Sequence, residues 1–199
     1  PGSCMEIDVE QFNYTEPEKY FKLNTDSELM VPDYDFACAR VRDTFVESVK
    51  KRLMSERPIG CLLSGGLDSS LVSSIVAREF KNQSKGTLDT FSIGFPGSTD
   101  LAYARKVAKH IGSNHHEIML TEREFLEAIP KVIYAIESYD TTTVRASVGN
   151  YLVSKYIKEN TNITVVFNGD GADEVAGGYL YMKNAPSSQE FHKECLNLI

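Results

Sequence analysis

Ser64-Gly65-Gly66-Leu67-Asp68-Ser69-Ser70 is the stretch on which the reading of this 199-residue chain turns. It follows a short apolar run, Ile59-Gly60-Cys61-Leu62-Leu63, and opens a longer amphipathic one over residues 70–80. A strand, a glycine turn and a helix in that order aim backbone N–H groups outward at the helix N-terminus, where an anion can sit. Two glycines let the backbone come close to that anion, and three serines add hydroxyl donors. Asp68 is the odd member, because a carboxylate beside a phosphate repels it unless a cation lies between; a magnesium-bound phosphate removes the conflict. Two familiar nucleotide loops do not fit. Gly60 and Gly65 have the Walker spacing, but Gly66 and Leu67 stand where its lysine and hydroxyl residue belong, and the dinucleotide pattern Gly-x-Gly-x-x-Gly is absent here. The bland alternative is an ordinary glycine-rich turn between a strand and a helix.

Working outward, the chain alternates strand and helix signals. Apolar runs place strands at 59–63, 88–95, 116–120 and 163–167. Helical periodicity places helices from a cap at Asp33 or Asp35 to about residue 56, at 70–81, from an Asp100 cap to Gly112, and at 144–159. Thr121 and Glu124 form a capping box for one more helix, which Pro130 restarts or kinks and which continues to about Ser138. Residues 1–34 show no helical period and read as an N-terminal linker or extension, with an alternating strand signal at 6–10. Pro1-Gly2-Ser3 fits either an expression scar or an interdomain linker. Residues 35–199 read as one α/β domain, a parallel sheet of about four to five strands with helices on both faces. Ligands of such sheets sit beyond the C-terminal ends of the strands. The loop at 64–70, Ser92-Ile93-Gly94 and the stretch 168–174 all fall at that edge.

A net charge of −7 argues against a general nucleic-acid binder, whose footprint is basic. An anionic substrate therefore needs local positive groups and magnesium. No apolar run approaches the ~20 residues of a membrane span, and no signal peptide is visible, so the expected location is cytoplasmic. Cys4, Cys38, Cys61 and Cys195 show no CxxC or His/Cys zinc spacing and read as reduced thiols. His115-His116 suggests a metal at first sight, but neighbours in a strand face opposite ways, and a structural role is the simpler reading.

Two further constellations carry chemistry. Asn168-Gly169-Asp170-Gly171-Ala172-Asp173-Glu174 has two glycines and three carboxylates. It fails the EF-hand pattern at its fifth and sixth places, and Glu174 blocks a dinucleotide reading. The plain alternative is a turn and helix N-terminus whose acids favour the helix dipole. Tyr139-Asp140-Thr141-Thr142-Thr143-Val144-Arg145-Ala146-Ser147 sets three hydroxyls and one fixed cation at a helix start, and arginine there can pair bidentately with phosphate or carboxylate. A helix cap with a surface arginine is the plain reading of that stretch.

The first loop, Ser-Gly-Gly-x-Asp-Ser, resembles the pyrophosphate loop of the ATP pyrophosphatase family, of adenine nucleotide α-hydrolase-like (PP-loop) fold. The wider set resembles the synthetase domain of glutamine-dependent asparagine synthetases of eukaryotic type. It runs through Leu62 to Ser70, Phe91-Ser92-Ile93-Gly94, Asp100-Leu101 with Ala104-Arg105-Lys106-Val107-Ala108, Tyr139-Asp140, Thr142 to Ser147, and Gly169-x-Gly171-x-Asp173-Glu174 with Gly178-Tyr179. The likeness covers roughly residues 36–195.

The resemblance implies that the side-chain carboxylate of aspartate attacks the α phosphate of Mg-ATP. β-Aspartyl-AMP forms, pyrophosphate leaves, and ammonia then gives asparagine and AMP. It assigns Ser64, Gly65, Gly66, Asp68, Ser69 and Ser70 to pyrophosphate, with Asp68 toward Mg2+. Backbone at Leu63, Ile93, Gly94, Asn168 and Gly169 would bound the adenosine. Thr142, Thr143 and Arg145 would face phosphate or aspartate, Asp170 would serve the chemistry, and Asp173 and Glu174 would orient the amino-acid and metal end. The implied partners are ATP, aspartate, ammonia and a glutaminase domain, with no nucleic acid and no membrane; a homo-oligomer is left open.

Against that pattern three departures stand out. Asp170 replaces the usual Glu, which retracts the carboxylate by roughly 1.5 Å, one C–C bond. A displacement of ~1 Å can cost about a hundredfold in rate. Asn168 replaces the usual Ser, which matters less if only its backbone is used. The glutaminase domain with its terminal cysteine and the later helical part with a catalytic lysine are not in this sequence, so the chain is expected to be a fragment. Two other functions fit the same residues: another acyl-adenylating ligase such as a β-lactam synthetase, and a catalytically weak nucleotide-binding domain.

Overall fold

The computed structural model describes residues 2–22 and 33–198. The expected N-terminal extension therefore lies partly outside the described residues, as do Pro1 of the expected scar or linker and the terminal Ile199. The chain divides into two compact units, Pro1–Arg42 and Asp43–Ile199, and the division falls inside a helix, not ahead of it.

In the first unit four two-residue strands, β1 (Ser3–Cys4), β2 (Ile7–Asp8), β3 (Asn13–Tyr14) and β4 (Glu18–Lys19), fold into a nested antiparallel hairpin. The alternation at 6–10 is thus a strand only at Ile7–Asp8. Asp8 ends it by accepting the N–H groups of Glu10 and Gln11 at 2.9 and 3.0 Å, an Asx turn at the hairpin tip.

The helix α1 (Tyr34–Arg52) is capped by Asp33, whose carboxylate accepts the Phe36 N–H at 2.6 Å. Then come β5 (Ile59–Leu62), α2 (Leu67–Asn82), β6 (Asp89–Gly94), α3 (Thr99–Ile111), β7 (Asn114–Met119), α4 (Glu122–Ile136), α5 (Thr141–Asn160), β8 (Val165–Phe167), the short α6 (Ala172–Ala176), a 3-10 turn at Leu180–Asn184 and α7 (Ser188–Leu198). Among the described residues, no helix is long and apolar enough to cross a membrane.

The four longer strands form one parallel sheet in the order β7-β6-β5-β8. Helices cover both faces, as expected, and the pleat shows how. Ile59 and Cys61 point into a core with Val72, Ile75, Val76 and Phe80 of α2, and Leu63 continues that face against Ala104 and Ala108 of α3. On the opposite face Phe91 packs with Val153 and Ile157 of α5 and with Ile163. Gly60 sits on that second face, and a Cβ there would stand 2.9 Å from the Phe91 ring and 3.3 Å from Ile163. The missing side chain is what lets the aromatic ring lie across β5. A second helix pair forms as α4 lays Ala128 and Val132 on Val144 and Val148 of α5.

Several boundaries differ from the sequence reading for local reasons. Gly66 takes the extended conformation of an N-cap (φ −69°, ψ 165°), so α2 begins at Leu67 and draws Asp68, Ser69 and Ser70 into its first turn. Asp100 is not the cap of α3; Ser98 holds the N-cap position, and Asp100 lies within the first turn. The Thr121–Glu124 capping box forms as expected, and α4 runs through Pro130 to Ile136. Proline there removes one N–H bond to the preceding turn and crowds the carbonyl four residues back, yet the helix continues through it.

Strand β7 starts at Asn114, so both histidines belong to it. They face opposite ways. His116 stacks on Phe91 with ring centroids 4.8 Å apart and pairs with Asp89 at 2.9 Å. The His115 ring lies between the hydroxyls of Thr90 (2.9 Å) and Ser92 (3.1 Å). No cluster of three metal-ligating side chains occurs among the described residues.

Two tests follow from this packing. Gly60→Ala should lower stability by about 1–3 kcal/mol, because the new methyl has no room beside a fully buried ring; urea unfolding reads it, and an unchanged midpoint would show that the ring can shift. His115 is half-buried, and burial chiefly lowers its pKa from 6.5; Glu117 opposes the shift, while His116 and Arg105 add to it. The unfolded chain then takes up this proton at a higher pH than the folded one. Its contribution is complete above pH 6.5 and is lost as pH falls below that value toward the folded pKa. Between pH 7.5 and 5.5 the unfolding midpoint should drop more in the parent than in His115→Gln.

Candidate active site

The site forms where the strand order reverses. From β5 the chain crosses through α2 to β6 on one side; from β7 it returns through α4 and α5 to β8 on the other. The loops leaving β5 and β8 therefore diverge around a crevice at the C-terminal edge of the sheet. A cleft of about 210 Å³ lies there, with Ser64, Gly66, Asp68 and Ser69 on one wall and residues 169–174 with Tyr179 on the other.

Close backbone contacts hold the walls. A Cβ on Gly169 would lie 2.6 Å from the Ser69 nitrogen, so the β8 loop rests directly on the first turn of α2. Gly65 has φ +85°, and its missing Cβ would lie 2.5 Å from the Ala104 nitrogen in α3. Gly66 differs from both: a Cβ there would meet nothing closer than the Ser64 hydroxyl at 3.4 Å. Its bare backbone faces the cleft.

The serines divide. Ser64 Oγ and Ser69 Oγ share a hydrogen bond of 2.9 Å, and Ser64 Oγ accepts the Gly66 N–H at 3.3 Å. Ser70 turns back into the helix, its hydroxyl donating to the Gly66 carbonyl at 2.6 Å, and it lines no cavity. The α2 N-terminus carries no side-chain cap, unlike α4 and α5. Its first N–H groups are therefore open to an anion.

Asp68, Asp170, Asp173 and Glu174 all line the cleft, and no lysine or arginine does. Asp170 Oδ2 accepts the Asn168 side-chain amide at 2.7 Å. The Tyr179 hydroxyl donates to Glu174, which holds that carboxyl below the usual carboxylate range and pushes the phenol up to about 12. Tyr179 in turn stacks on Tyr181, whose hydroxyl reaches Glu194 of α7 at 3.1 Å.

A second cavity of about 130 Å³ adjoins along β5 and β6, lined by Leu62, Leu63, Ser64, Phe91, Ser92, Ile93, Asp100, Leu101, Asn150 and Val153. Ser64 belongs to both cavities. Leu63 and Ile93 are thus together in the second, while Gly94 lines neither; a Cβ on Gly94 would press on Leu101 at 3.1 Å.

Thr142, Thr143 and Arg145 line neither cavity. Thr143 is used locally, its N–H and Oγ1 each donating to the Asp140 cap at 2.8 Å. Arg145 is exposed in the second turn of α5, about 12 Å along the helix axis from Val153 at a rise of 1.5 Å per residue.

Sequence reasoning missed three residues that the fold brings to these walls: Asp100, Asn150 and Tyr179. Asp100 is read as a helix cap and as part of the Asp100-Leu101 motif, with no site role. Asn150 lies three residues before buried Val153, so the α5 stripe that faces β6 already pointed to it. Tyr179 belongs to the Gly178-Tyr179 pair of the resemblance but has no role in the sequence reading, and its place depends on the turn after α6.

The chain is 42% identical over 201 residues to a mouse protein named asparagine synthetase [glutamine-hydrolyzing], covering all of this chain and 36% of that one. The chicken protein of the same name is 49% identical over 168 residues, covering 84% of this chain and 30% of that one. The chain thus spans little more than a third of such relatives. A glutamine-dependent NAD+ synthetase from Acinetobacter baumannii, solved with adenosine diphosphate, superposes with a TM-score of 0.49 at 18% identity, over 88% of this chain and 31% of that one. The asparagine synthase family model matches residues 40–196, which take in both loops, both cavities and all four carboxylates, and the chain belongs to that family.

Proposed function

We propose that this chain carries the ATP-dependent, amide-forming site of asparagine synthesis. The observation that supports it most is the pair of loops facing one another across a single cleft: an uncapped helix start with a bare glycine on one side and a set of carboxylates on the other. The two cavities divide the nucleotide. The second, walled by Leu62, Leu63, Phe91, Ile93 and Val153, takes the nucleoside, with Asp100 and Asn150 as its polar groups. The phosphates run past Ser64, the shared residue, into the cleft. Gly66, Ser69 and the first turn of α2 hold the departing pyrophosphate by N–H and hydroxyl donors.

Four carboxylates beside a triphosphate repel it, so the nucleotide must arrive with cations. A Mg2+ ion bound through one or two carboxylates and the phosphates fits this cleft, which has no preformed three-ligand cluster among the described residues. Asp68, with Asp173 on the facing wall, would hold it, and bound there it would screen the phosphate charge.

Aspartate is the acyl donor in this reading. Its side-chain oxygen bonds to the α phosphorus as the bond to the pyrophosphate oxygen breaks. Ammonia then attacks the acyl carbon, AMP departs and one proton is lost. Asp173 and Glu174 suit the cationic amino group of aspartate. The strands and α5 run in opposite directions, so the start of α5 lies toward the same edge, and in this reading Arg145 and Thr142, which line neither cavity, serve the substrate's anionic far end. The relatives are named glutamine-hydrolyzing; by analogy, ammonia reaches this site from a glutaminase domain.

With Mg-ATP, aspartate and ammonium supplied, this chain should release pyrophosphate only when aspartate is present, and asparagine should appear. Pyrophosphate without asparagine would favour another acyl-adenylating ligase, and nucleotide binding with no release a weak binding domain. Gly66→Ala separates binding from folding, since its methyl meets no crowding within the chain. It should weaken Mg-ATP binding by about tenfold, or 1.4 kcal/mol, with an unchanged unfolding midpoint. Calorimetric affinities equal to the parent's in both Gly66→Ala and Asp68→Ala would remove the nucleotide from this cleft.

A further inference from the structure

Asp170 and Asn168 flank Gly169, which is pinned on the α2 first turn. Across that fixed point the Asn168 Nδ2 donates to Asp170 Oδ2 at 2.7 Å, and among the described residues this is the one hydrogen bond either side chain makes. Asp170 stands in a cleft with three other carboxylates and no lysine or arginine, so nothing else in that wall compensates its charge. The neutral amide donates to the carboxylate and fixes its rotamer without occupying the cleft, whose lining does not include Asn168. We infer that Asn168 is a positioning residue for Asp170, and that the two act as one unit in presenting a carboxylate oxygen to the bound substrate.

The geometry adds a constraint on the pair. From the β-carbon, a serine hydroxyl reaches one bond and an asparagine amide two. A carboxylate on aspartate is one methylene shorter than on glutamate. Asparagine with aspartate (two bonds each) and serine with glutamate (one and three) therefore have the same combined reach, whereas mixed pairs are one bond longer or one bond shorter. The two positions at which this loop departs from the pattern it resembles are the two side chains in contact. The side-chain atoms of Asn168 are thus in use, so the condition under which its replacement of serine matters less, use of its backbone alone, is not met.

The catalytic consequence rests on the function proposed above; the contact itself does not. Two measurements keep them apart. In the first, the side-chain amide protons of Asn168 are followed by NMR through an acid titration. They should shift with the ionisation of Asp170 in the parent and lose that transition in Asp170→Asn; no such transition in the parent overturns the inference, whatever the activity.

In the second, pyrophosphate release is compared in parent, Asn168→Ser, Asp170→Glu and the double variant. Each single change should lower kcat by about tenfold, the low end of what loss of an orienting partner costs, with the KM for Mg-ATP within about twofold. The double variant should recover to within about threefold of the parent, a coupling that additive sites do not show. Losses that multiply in the double variant, or Asn168→Ser equal to the parent, would overturn the inference. A parent that releases no pyrophosphate would count against the proposed function, and the amide titration would still decide whether Asn168 holds Asp170.

Discussion

Gly169 carries no side chain, and the cleft depends on that absence. Its α-carbon is pressed so closely on the backbone of Asp68 and Ser69 that even a methyl would have to displace the first turn of α2. Gly65 meets α3 in the same way at Ala104. Backbone therefore touches backbone at both ends of the β5 loop, and close steric contact adds to the sheet pairing and core packing that hold these elements together. Side chains at either point would push the walls apart and leave two unrelated loops. The same contact brings Asp68 onto one wall opposite Asp170 and Asp173, which is the source of the electrostatic character of the site.

That character differs from the rest of the chain. Two carboxylates elsewhere show the alternative of a cationic partner: Glu117 takes both prongs of the Arg105 guanidinium at 2.7 Å, and Glu127 pairs with Arg123 at 2.7 Å. Arg105 chiefly holds the Glu117 carboxyl below its ordinary pKa. In the cleft the partners are neutral, an amide for Asp170 and a phenol for Glu174. Among the described residues no ion pair reaches any of the four cleft carboxylates. A fold that needed these carboxylates only for stability could pair them with cations as it does at Glu117. Under the proposed function, the cations that accompany the nucleotide would take that place.

Most of the fold was legible because its signals are local. The apolar run before Gly65 gives β5, the four-residue apolar spacing gives the buried stripe of α2, and the Thr121–Glu124 box is readable from four residues. Strand order was not legible: nothing near 163–167 states that β8 pairs with β5 and not with β7, because that choice is made by packing between Ile163, Phe91 and α5. The same limit applied within the site. The glycine loops could be placed at the correct edge from spacing alone, yet Ser70 was counted as a ligand donor although its hydroxyl is consumed by the Gly66 carbonyl. Asp100 was read as a cap although it opens onto a cavity. In each case the residue type was informative and the direction of its side chain was not, since that direction depends on where the helix actually begins.

Ser64 shows what the arrangement achieves. The parallel ladder continues one residue beyond β5, with the Leu63 N–H donating to the Phe91 carbonyl at 2.8 Å, so Ser64 is the first residue to leave the sheet. Behind it Leu63 is buried against α3; ahead of it the hydroxyl is tied to Ser69 and to the Gly66 N–H. A residue ordered on both sides costs no further backbone entropy when a ligand binds, whereas ordering a free loop costs roughly 1–2 kcal/mol per residue. Because this same residue lines both cavities, a nucleotide lying through them would meet its sugar–phosphate junction at the most rigid point of the edge. Rigidity there is useful for displacement at phosphorus, where the attacking and departing oxygens must stay in line. The carboxylates of the facing wall, Asp170, Asp173 and Glu174, are carried instead on the short α6 and the loop before it, where neutral side chains hold two of them, Asp170 and Glu174.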